Sequence, residues 1–184
     1  MNPESLARAA EIIRAGGVVA YPTEACFGLG CDPRNAQAMR RILRIKRRPR
    51  AKGLILIAAR RSQLRPYVAS FAVNYRAQML ASWPGPHTWL LPAHRHASRW
   101  LRGDHASIAV RVTAHRVAAA LCALARTPLV STSANRAHRR MLRSAQAVRR
   151  EFGDEIDFVV DARIGNAHAP SCIRCGETGE AVRG

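Results

Sequence analysis

The sequence predicts a single-domain α/β protein, covering residues 1–184, in which helices flank a twisted mixed sheet. Three observations predict this class. Short apolar runs of strand length alternate along the chain with segments of helical periodicity. A chain of 184 residues suits one domain with a substantial core. Hydrophobic residues make up 48% of the chain, too many for a disordered protein, yet no apolar run is long enough to span a bilayer.

The predicted helices begin at capping residues or carry apolar residues three and four positions apart. Asn2, followed by a proline and an acid, is a typical helix N-cap, and Gly16 with Gly17 ends that helix. Asn35 and Ser144 are the corresponding starts of two later helices. The helices predicted in this way run from Asn2 to Gly16, onward from Asn35, and over 73–80, 117–125 and 144–152.

The predicted strands are apolar runs of three to six residues bounded by prolines, glycines or polar residues. The run at 107–112 alternates Ile108, Val110 and Val112 with Ala109 and Arg111, which is typical of a strand with one buried face. The complete set of predicted strands is 18–21, 54–58, 88–91, 107–112, 129–132 and 158–160. The alternation of these strands with helices is typical of the α/β class, and we expect the sheet to be mixed.

Positive charge is concentrated in the middle of the chain. The whole protein carries a net charge of +18, and residues 33–150 hold 25 Lys or Arg against one acid, Asp104, a net +24. A field of this sign attracts phosphates, whether of nucleotides, RNA or an anionic membrane surface. Because 28 of the 30 cations are Arg, genomic base composition is the alternative explanation for many individual positions.

The cysteines and the start of the chain indicate a cellular compartment. Five cysteines form an odd set in a chain that needs no disulfides, so we expect reduced thiols and no protein metal site. The first residues lack the basic and apolar regions of a secretory signal. We therefore expect a cytoplasmic protein without membrane contact.

Three polar segments and one arginine are candidates for ligand binding. The basic segment 46–53 joins a predicted helix to a strand, and its cations suit phosphate oxygens unless the segment is merely a solvated connection. Segments 21–25 and 132–135 follow strands, where α/β sheets bind ligands or hydroxyls close local turns. Arg111 needs an anionic partner, either a substrate carboxylate or a structural acid.

Five segments together resemble the YrdC family of threonylcarbamoyl-AMP synthases, which act in tRNA modification. In chain order they are YPTEACFGLGCDP (21–33), KRRPRAKGLILIA (46–58), SWPGPHTWLLPA (82–93), SIAVRVTAH (107–115) and PLVSTSAN (128–135). The resemblance covers essentially the whole chain and is to the short bacterial form. It implies a basic concave face and the conversion of L-threonine, bicarbonate and ATP to threonylcarbamoyl-AMP and pyrophosphate, for N6-threonylcarbamoylation of adenosine 37 in tRNA.

The resemblance also implies roles for individual residues. The ATP-binding positions would be Lys46, Arg48, Ser133, Asn135 and Arg183. The threonine-binding positions would be Thr23, Arg111 and Ser171, with Arg111 on the carboxylate. No covalent nucleophile is implied, since Lys46 and Arg48 would position ATP and stabilise charge, with Mg²⁺ accompanying the nucleotide.

The resemblance further implies tRNA and other proteins of the pathway as partners. The chain departs from the family pattern at Arg136-Ala137-His138, where x-Ser-Gly is usual, and at Cys175, where an aspartate is usual. The alternative function is a non-catalytic RNA-binding module acting in ribosomal RNA maturation. The pair Thr23 and Arg111 distinguishes the two, because RNA binding needs no amino-acid pocket.

Overall fold

One mixed sheet organises the part of the chain that the computed structural model describes, which is residues 2–167, 169 and 171–183 without the side chain of Arg183. Its strands are β1 (Val19–Pro22), β2 (Phe27–Gly30), β3 (Ile55–Ala58), β4 (His87–Pro92), β5 (Ser107–Val112), β6 (Leu129–Ser133), β7 (Phe158–Val159), β8 (Cys172–Cys175) and β9 (Ala181–Arg183). The helices are α1 (Pro3–Arg14), α2 (Ala36–Lys46), α3 (Arg76–Ala81), α4 (Arg99–Arg102), α5 (Arg116–Leu124) and α6 (Ala145–Phe152).

The strands lie in the order β7-β1-β2-β6-β3-β5-β4-β8-β9, and the sheet does not close. Pairs β1–β7, β3–β5 and β4–β8 are parallel, and the other neighbours are antiparallel. The predicted α/β class with a mixed sheet is therefore confirmed.

Side chains that alternate along the strands form two apolar clusters, one on each face of the sheet. Tyr21, Ile57 and Leu129 pack with α1 and α5 on the first face. Their strand neighbours Leu56 and Val130 pack on the second face with α2, α3, α4 and α6. This two-residue period is what a sheet covered on both faces requires.

The predicted capping residues act as caps. Asn2 Oδ1 accepts from Glu4 N at 2.9 Å, Asn35 Oδ1 accepts from Ala38 N at 2.9 Å, and Ser144 Oγ accepts from Ala147 N at 3.2 Å. Among the described residues, none of the helices has the length and apolar character needed to cross a membrane.

All six predicted strands and all five predicted helices are present, with shifted ends; α3 starts at Arg76 rather than at residue 73. Three strands and the short helix α4 lacked a sequence signal. Strand β2 contains two glycines in four residues, which weakens strand propensity. Strand β8 reads Cys-Ile-Arg-Cys and β9 has three residues, so neither shows an apolar alternation.

Candidate functional site

A cavity of about 560 Å³ opens on the face of the sheet that also carries α1 and α5. Its volume is in the range of small-molecule and cofactor sites. Seven of the eight residues to which the sequence assigned ligands line it: Thr23, Lys46, Arg48, Arg111, Ser133, Asn135 and Ser171. The eighth, Arg183, belongs to β9, but its side chain lies outside the described part of the chain.

Strand register explains why Arg111 reaches this cavity. Arg111 on β5 lies beside Ile57 on β3, which lies beside Leu129 on β6. Neighbouring residues in such a row point to the same face of a sheet. Ile57 and Leu129 are covered by α1 and α5, whereas Arg111 lies beyond these helices and lines the cavity.

Gly28 forms part of the cavity floor. A Cβ atom at this position would lie 3.3 Å from Ser131 Oγ and 3.4 Å from Thr23 Cγ2. The absence of a side chain therefore leaves room above the sheet and brings two hydroxyl-bearing residues together.

The basic segment 46–53 forms one wall of the cavity. Arg47 ends α2 in the left-handed conformation, with φ at 50°, which turns the chain sharply. Arg48 Nε and Nη2 donate to Gly53 O at 3.2 and 3.1 Å, so this side chain braces its own loop. Gly53 has φ at 60°, and a Cβ there would lie 3.0 Å from Arg102 O. The segment is thus a folded wall rather than a loose connection.

Lys46 is buried, with 6% of the residue exposed. Its ammonium nitrogen donates to Ser133 O at 2.5 Å, to Asn135 O at 2.7 Å and to Asn135 Oδ1 at 3.0 Å. A lysine ammonium has three N–H donors, so these contacts use all of them. Burial, assisted by the positive charge of Arg48, lowers the pKa of Lys46 to about 8.

The segment Ser133–Asn135 is held tightly beside Lys46. Ser133 Oγ donates to Asn135 Oδ1 at 2.7 Å, and Asn135 Nδ2 donates to Arg139 O at 2.6 Å. Ala137 N closes the arrangement by donating to Lys46 O at 3.1 Å. The amide and hydroxyl groups of this segment therefore face the cavity with little freedom to move.

Arg111 pairs with an internal acid and still faces the cavity. Its Nη2 lies 3.4 Å from Glu24 Oε2, and the two side chains are only 9% and 13% exposed. Glu24 Oε1 accepts from Thr113 Oγ1 at 2.7 Å and from Ala114 N at 3.2 Å. Arg111 Nε and Glu24 Oε2 are buried without any hydrogen-bond partner in the described structure. The two alternative partners for Arg111, a structural acid and a substrate carboxylate, therefore do not exclude each other.

Thr23, Cys26 and Ser171 complete the wall near Arg111. Thr23 Oγ1 donates to Cys26 O at 2.8 Å, which closes the turn after β1. Burial raises the pKa of the Cys26 thiol, so this thiol is not activated as a nucleophile. Ser171 Oγ accepts from Thr88 Oγ1 at 3.0 Å at the start of β8.

The departures from the family pattern have local explanations. His138 has φ at 60°, a conformation that glycine adopts easily, which accounts for the glycine usual at this position. Arg136 is a structural residue, because it forms ion pairs with Glu151 and Glu155 and covers the Phe152 ring at 5.5 Å. Cys175 is absent from the cavity lining.

Ion pairs neutralise part of the positive segment 33–150. In the described structure, acids outside that segment form ion pairs with five of its arginines, which are Arg34, Arg41, Arg111, Arg136 and Arg149. Several cations along the cavity wall and the adjoining loop, including Arg47, Lys52, Arg139 and Arg140, have no ion pair among the described residues. These cations leave positive charge along the cavity wall and the adjoining loop.

Sequence reasoning did not assign roles to Gly28, Glu24 or Ser131, although all three line the cavity. Glu24 lies in the segment 21–33, but no pattern in the sequence indicated that it would contact Arg111, which is 87 positions further along the chain. No group of three or more His, Cys, Asp or Glu among the described residues could hold a metal ion.

The sequence itself has close relatives. Residues 11–183 match the Sua5/YciO/YrdC family, described as "Telomere recombination". The threonylcarbamoyl-AMP synthase of Halorhodospira halophila is 52% identical over 182 residues, covering 99% of this chain and 95% of the relative. The threonylcarbamoyl-AMP synthase of Thiobacillus denitrificans is 50% identical over 171 residues, covering 93% and 90% of the two chains.

One solved structure resembles this fold over most of the length of this chain. The P. abyssi Sua5 protein complexed with L-threonine is 32% identical, with a TM-score of 0.85. The match covers 92% of this chain and 50% of that one, so this chain spans about half the length of P. abyssi Sua5.

Proposed function

Because the chain belongs to the Sua5/YciO/YrdC family, we propose that it is a threonylcarbamoyl-AMP synthase whose cavity holds ATP and L-threonine side by side. The enzyme converts L-threonine, bicarbonate and ATP to threonylcarbamoyl-AMP and pyrophosphate. The family and the enzymatic activity expected from the sequence are both supported by the names of relatives that are about 50% identical.

One observation carries the proposal: a single cavity joins a cationic wall to a buried guanidinium that has an unused donor. Lys46, Arg48 and Lys52 suit the phosphates of ATP. Arg111 Nε suits a carboxylate. A non-catalytic RNA-binding module needs the first group but not the second, so the geometry favours the synthase.

The reaction needs positioning and charge stabilisation rather than a covalent nucleophile. Bicarbonate condenses with the threonine amine, water is lost, and the nitrogen carries a carbamate. A carbamate oxygen then attacks the α-phosphorus of ATP, the bond to the bridging oxygen breaks, and pyrophosphate leaves. Cations that face the phosphates stabilise the charge that develops during transfer, and fixed side chains hold both substrates in line.

We assign ATP to Lys46, Arg48, Ser133 and Asn135, with Arg183 as a further nucleotide contact. We assign threonine to Thr23, Arg111 and Ser171, with Arg111 on its carboxylate. The hydrogen bonds of Lys46 to Ser133 and Asn135 support the first group as one unit. The unpaired Arg111 Nε supports the second.

The residues of the cavity do not form a Mg²⁺ site. Glu24 is the single carboxylate among the described lining residues, and it faces Arg111. Mg²⁺ is usually bound through one or two protein carboxylates together with substrate phosphates. Any Mg²⁺ in the reaction therefore belongs to the nucleotide.

The experiment that tests the function incubates the purified protein with ATP, radiolabelled bicarbonate and threonine. Labelled threonylcarbamoyl-AMP and pyrophosphate should form together, and omission of threonine should abolish both. RNA binding without any labelled adenylate would instead support the module acting in ribosomal RNA maturation.

Replacing Arg48 with alanine should weaken ATP binding more than tenfold, since a charge-assisted contact contributes about 1.5–3 kcal/mol. Calorimetry with a non-hydrolysable ATP analogue measures the effect. Arg44→Ala is the matched control, because Arg44 is an exposed cation on α2 outside the cavity. Equal ATP affinity in both variants would remove Arg48 from the nucleotide site.

We propose that the protein works in the cytoplasm with other proteins of the pathway. We also propose that tRNA binds to the cations of the cavity wall and of the adjoining loop, including Arg139 and Arg140. Neutralised phosphates release counterions, so tRNA affinity should fall about a hundredfold from about 50 to about 200 mM salt. The double variant R139A/R140A should bind more weakly and show a flatter salt dependence. The matched control R8A/R14A, on α1, should behave as the wild type. A salt dependence identical in all three proteins would place the tRNA elsewhere.

A further inference from the structure

We propose that Glu24 recognises the β-hydroxyl of threonine and so makes the site selective against amino acids of the same shape without a hydroxyl, such as valine. The inference rests on the proposed function and deepens it. It concerns a residue to which neither the sequence motifs nor the proposed roles above assign a ligand.

Glu24 is fixed before any ligand arrives. Its Oε1 accepts from Thr113 Oγ1 at 2.7 Å and from Ala114 N at 3.2 Å, at the end of β5. Its backbone oxygen accepts from Ala167 N at 3.0 Å. A Cβ atom at Gly165 would lie 2.7 Å from that same oxygen, so this segment packs directly on Glu24. Both the carboxylate and its backbone are therefore held in place.

The other carboxylate oxygen has no hydrogen bond. Glu24 Oε2 lies 3.4 Å from Arg111 Nη2, and the geometry leaves both Oε2 and Arg111 Nε unsatisfied and buried. Unsatisfied buried polar atoms are rare because each loses its hydration without compensation. A ligand that presents an acceptor to Arg111 and a donor to Glu24 would satisfy both atoms at once.

Threonine offers this combination on adjacent carbons. Its carboxylate, on Cα, is an acceptor for Arg111, and its hydroxyl, on Cβ, is a donor for Glu24. The alternative donor is the amine, but the reaction argues against it. A carboxylate beside the amine would favour the charged ammonium, which has no free electron pair to form the carbamate. After carboxylation the nitrogen carries a negative carbamate, which Glu24 would repel.

Selectivity follows from the cost of leaving Glu24 Oε2 unpaired. Valine has the shape of threonine but no hydroxyl, so it would leave this buried oxygen without a donor, whereas threonine would supply one. Sites that hydrogen-bond a substrate hydroxyl reject the analogue without it by about 10⁴-fold or more. We expect the wild-type protein to prefer threonine to valine on this scale.

The test compares threonine, serine, valine and 2-aminobutyrate as substrates of the full chain, in the wild type and in Glu24→Gln. The neutral amide leaves a smaller penalty when unpaired. The ratio of kcat/KM for threonine over valine should therefore fall at least about tenfold in the variant. The kcat/KM for serine, which has the hydroxyl, should change as it does for threonine. The kcat/KM for 2-aminobutyrate, which lacks the hydroxyl, should change as it does for valine. The KM for ATP should not change, and Glu177→Gln, an exposed acid outside the cavity, should match the wild type.

An equal loss for threonine and valine in Glu24→Gln would overturn the proposal and leave Glu24 as a partner of Arg111 only. Should that variant fail to fold, Thr113→Val removes the hydroxyl that fixes Glu24 Oε1 and should lower the same ratio. If the wild type forms no adenylate, the proposed function fails. The ratio of threonine to valine dissociation constants, measured by calorimetry, then decides the role of Glu24 independently.

Discussion

Replacing Arg111 with lysine should raise the KM for threonine about ten- to hundredfold while leaving ATP binding unchanged. A guanidinium holds a carboxylate through two parallel hydrogen bonds, a geometry that an ammonium cannot reproduce. The lost contact is equivalent to about 1.5–3 kcal/mol. Lysine keeps a positive charge opposite Glu24, so the buried carboxylate is not left without a partner. Steady-state kinetics with threonine varied at saturating ATP measure the change.

Threonine amide, used as a substrate, provides a second test of the contact between Arg111 and the carboxylate. It lacks the carboxylate, so it should be a poor substrate of the wild type and should lose most of that disadvantage in Arg111→Lys. Arg174→Lys is the matched control, because Arg174 is also a strand arginine but donates to Gly179 O and does not line the cavity. A lowered melting temperature with an unchanged threonine KM would show that Arg111 serves only to balance Glu24.

The alternation along β5 is what made Arg111 visible in the sequence. A single cation among Ile108, Val110 and Val112 predicts a side chain on the other face, and the structure places it there. The N-caps Asn2, Asn35 and Ser144 were predictable for the same reason, since each depends on a few adjacent residues. Local patterns therefore sufficed for most helices and strands.

Contacts between distant segments could not be predicted in this way. The pairing of Glu24 with Arg111 depends on how the turn after β1 meets the end of β5. The three bonds of Lys46 likewise depend on α2 ending beside the segment after β6. Family resemblance named Lys46 as an ATP-binding residue, but only the structure shows that its donors are already occupied.

Because the three donors of Lys46 are already in hydrogen bonds, replacing Lys46 should affect ATP binding in two ways. Since Lys46 holds Ser133 and Asn135 in place, we expect it to act on ATP through its charge and by positioning that segment. Lys46→Met should lose the charge and leave three acceptor sites without their donor. Its ATP affinity should therefore fall by about a hundredfold or more, a larger loss than in Arg48→Ala.

The protonation state of Lys46 provides a second way to measure its effect on ATP affinity. With its pKa lowered to about 8, Lys46 loses its charge in mildly alkaline solution. If only the charged form binds ATP well, the apparent dissociation constant should rise about tenfold for each pH unit above about 8. Unfolding does not explain such a rise, because a lysine pKa lowered by folding makes the folded state more stable as pH rises from about 8 to 10.5.

Lys46→Arg separates this charge from every other titrating group. Arginine stays protonated throughout this range, so the variant should bind ATP more weakly at neutral pH but with an affinity that is flat up to about pH 9.5. Binding is measured without threonine, whose own amine would otherwise titrate in the same range. An unchanged alkaline loss of ATP affinity in Lys46→Arg would assign the titration to another group and remove Lys46 from control of the nucleotide site.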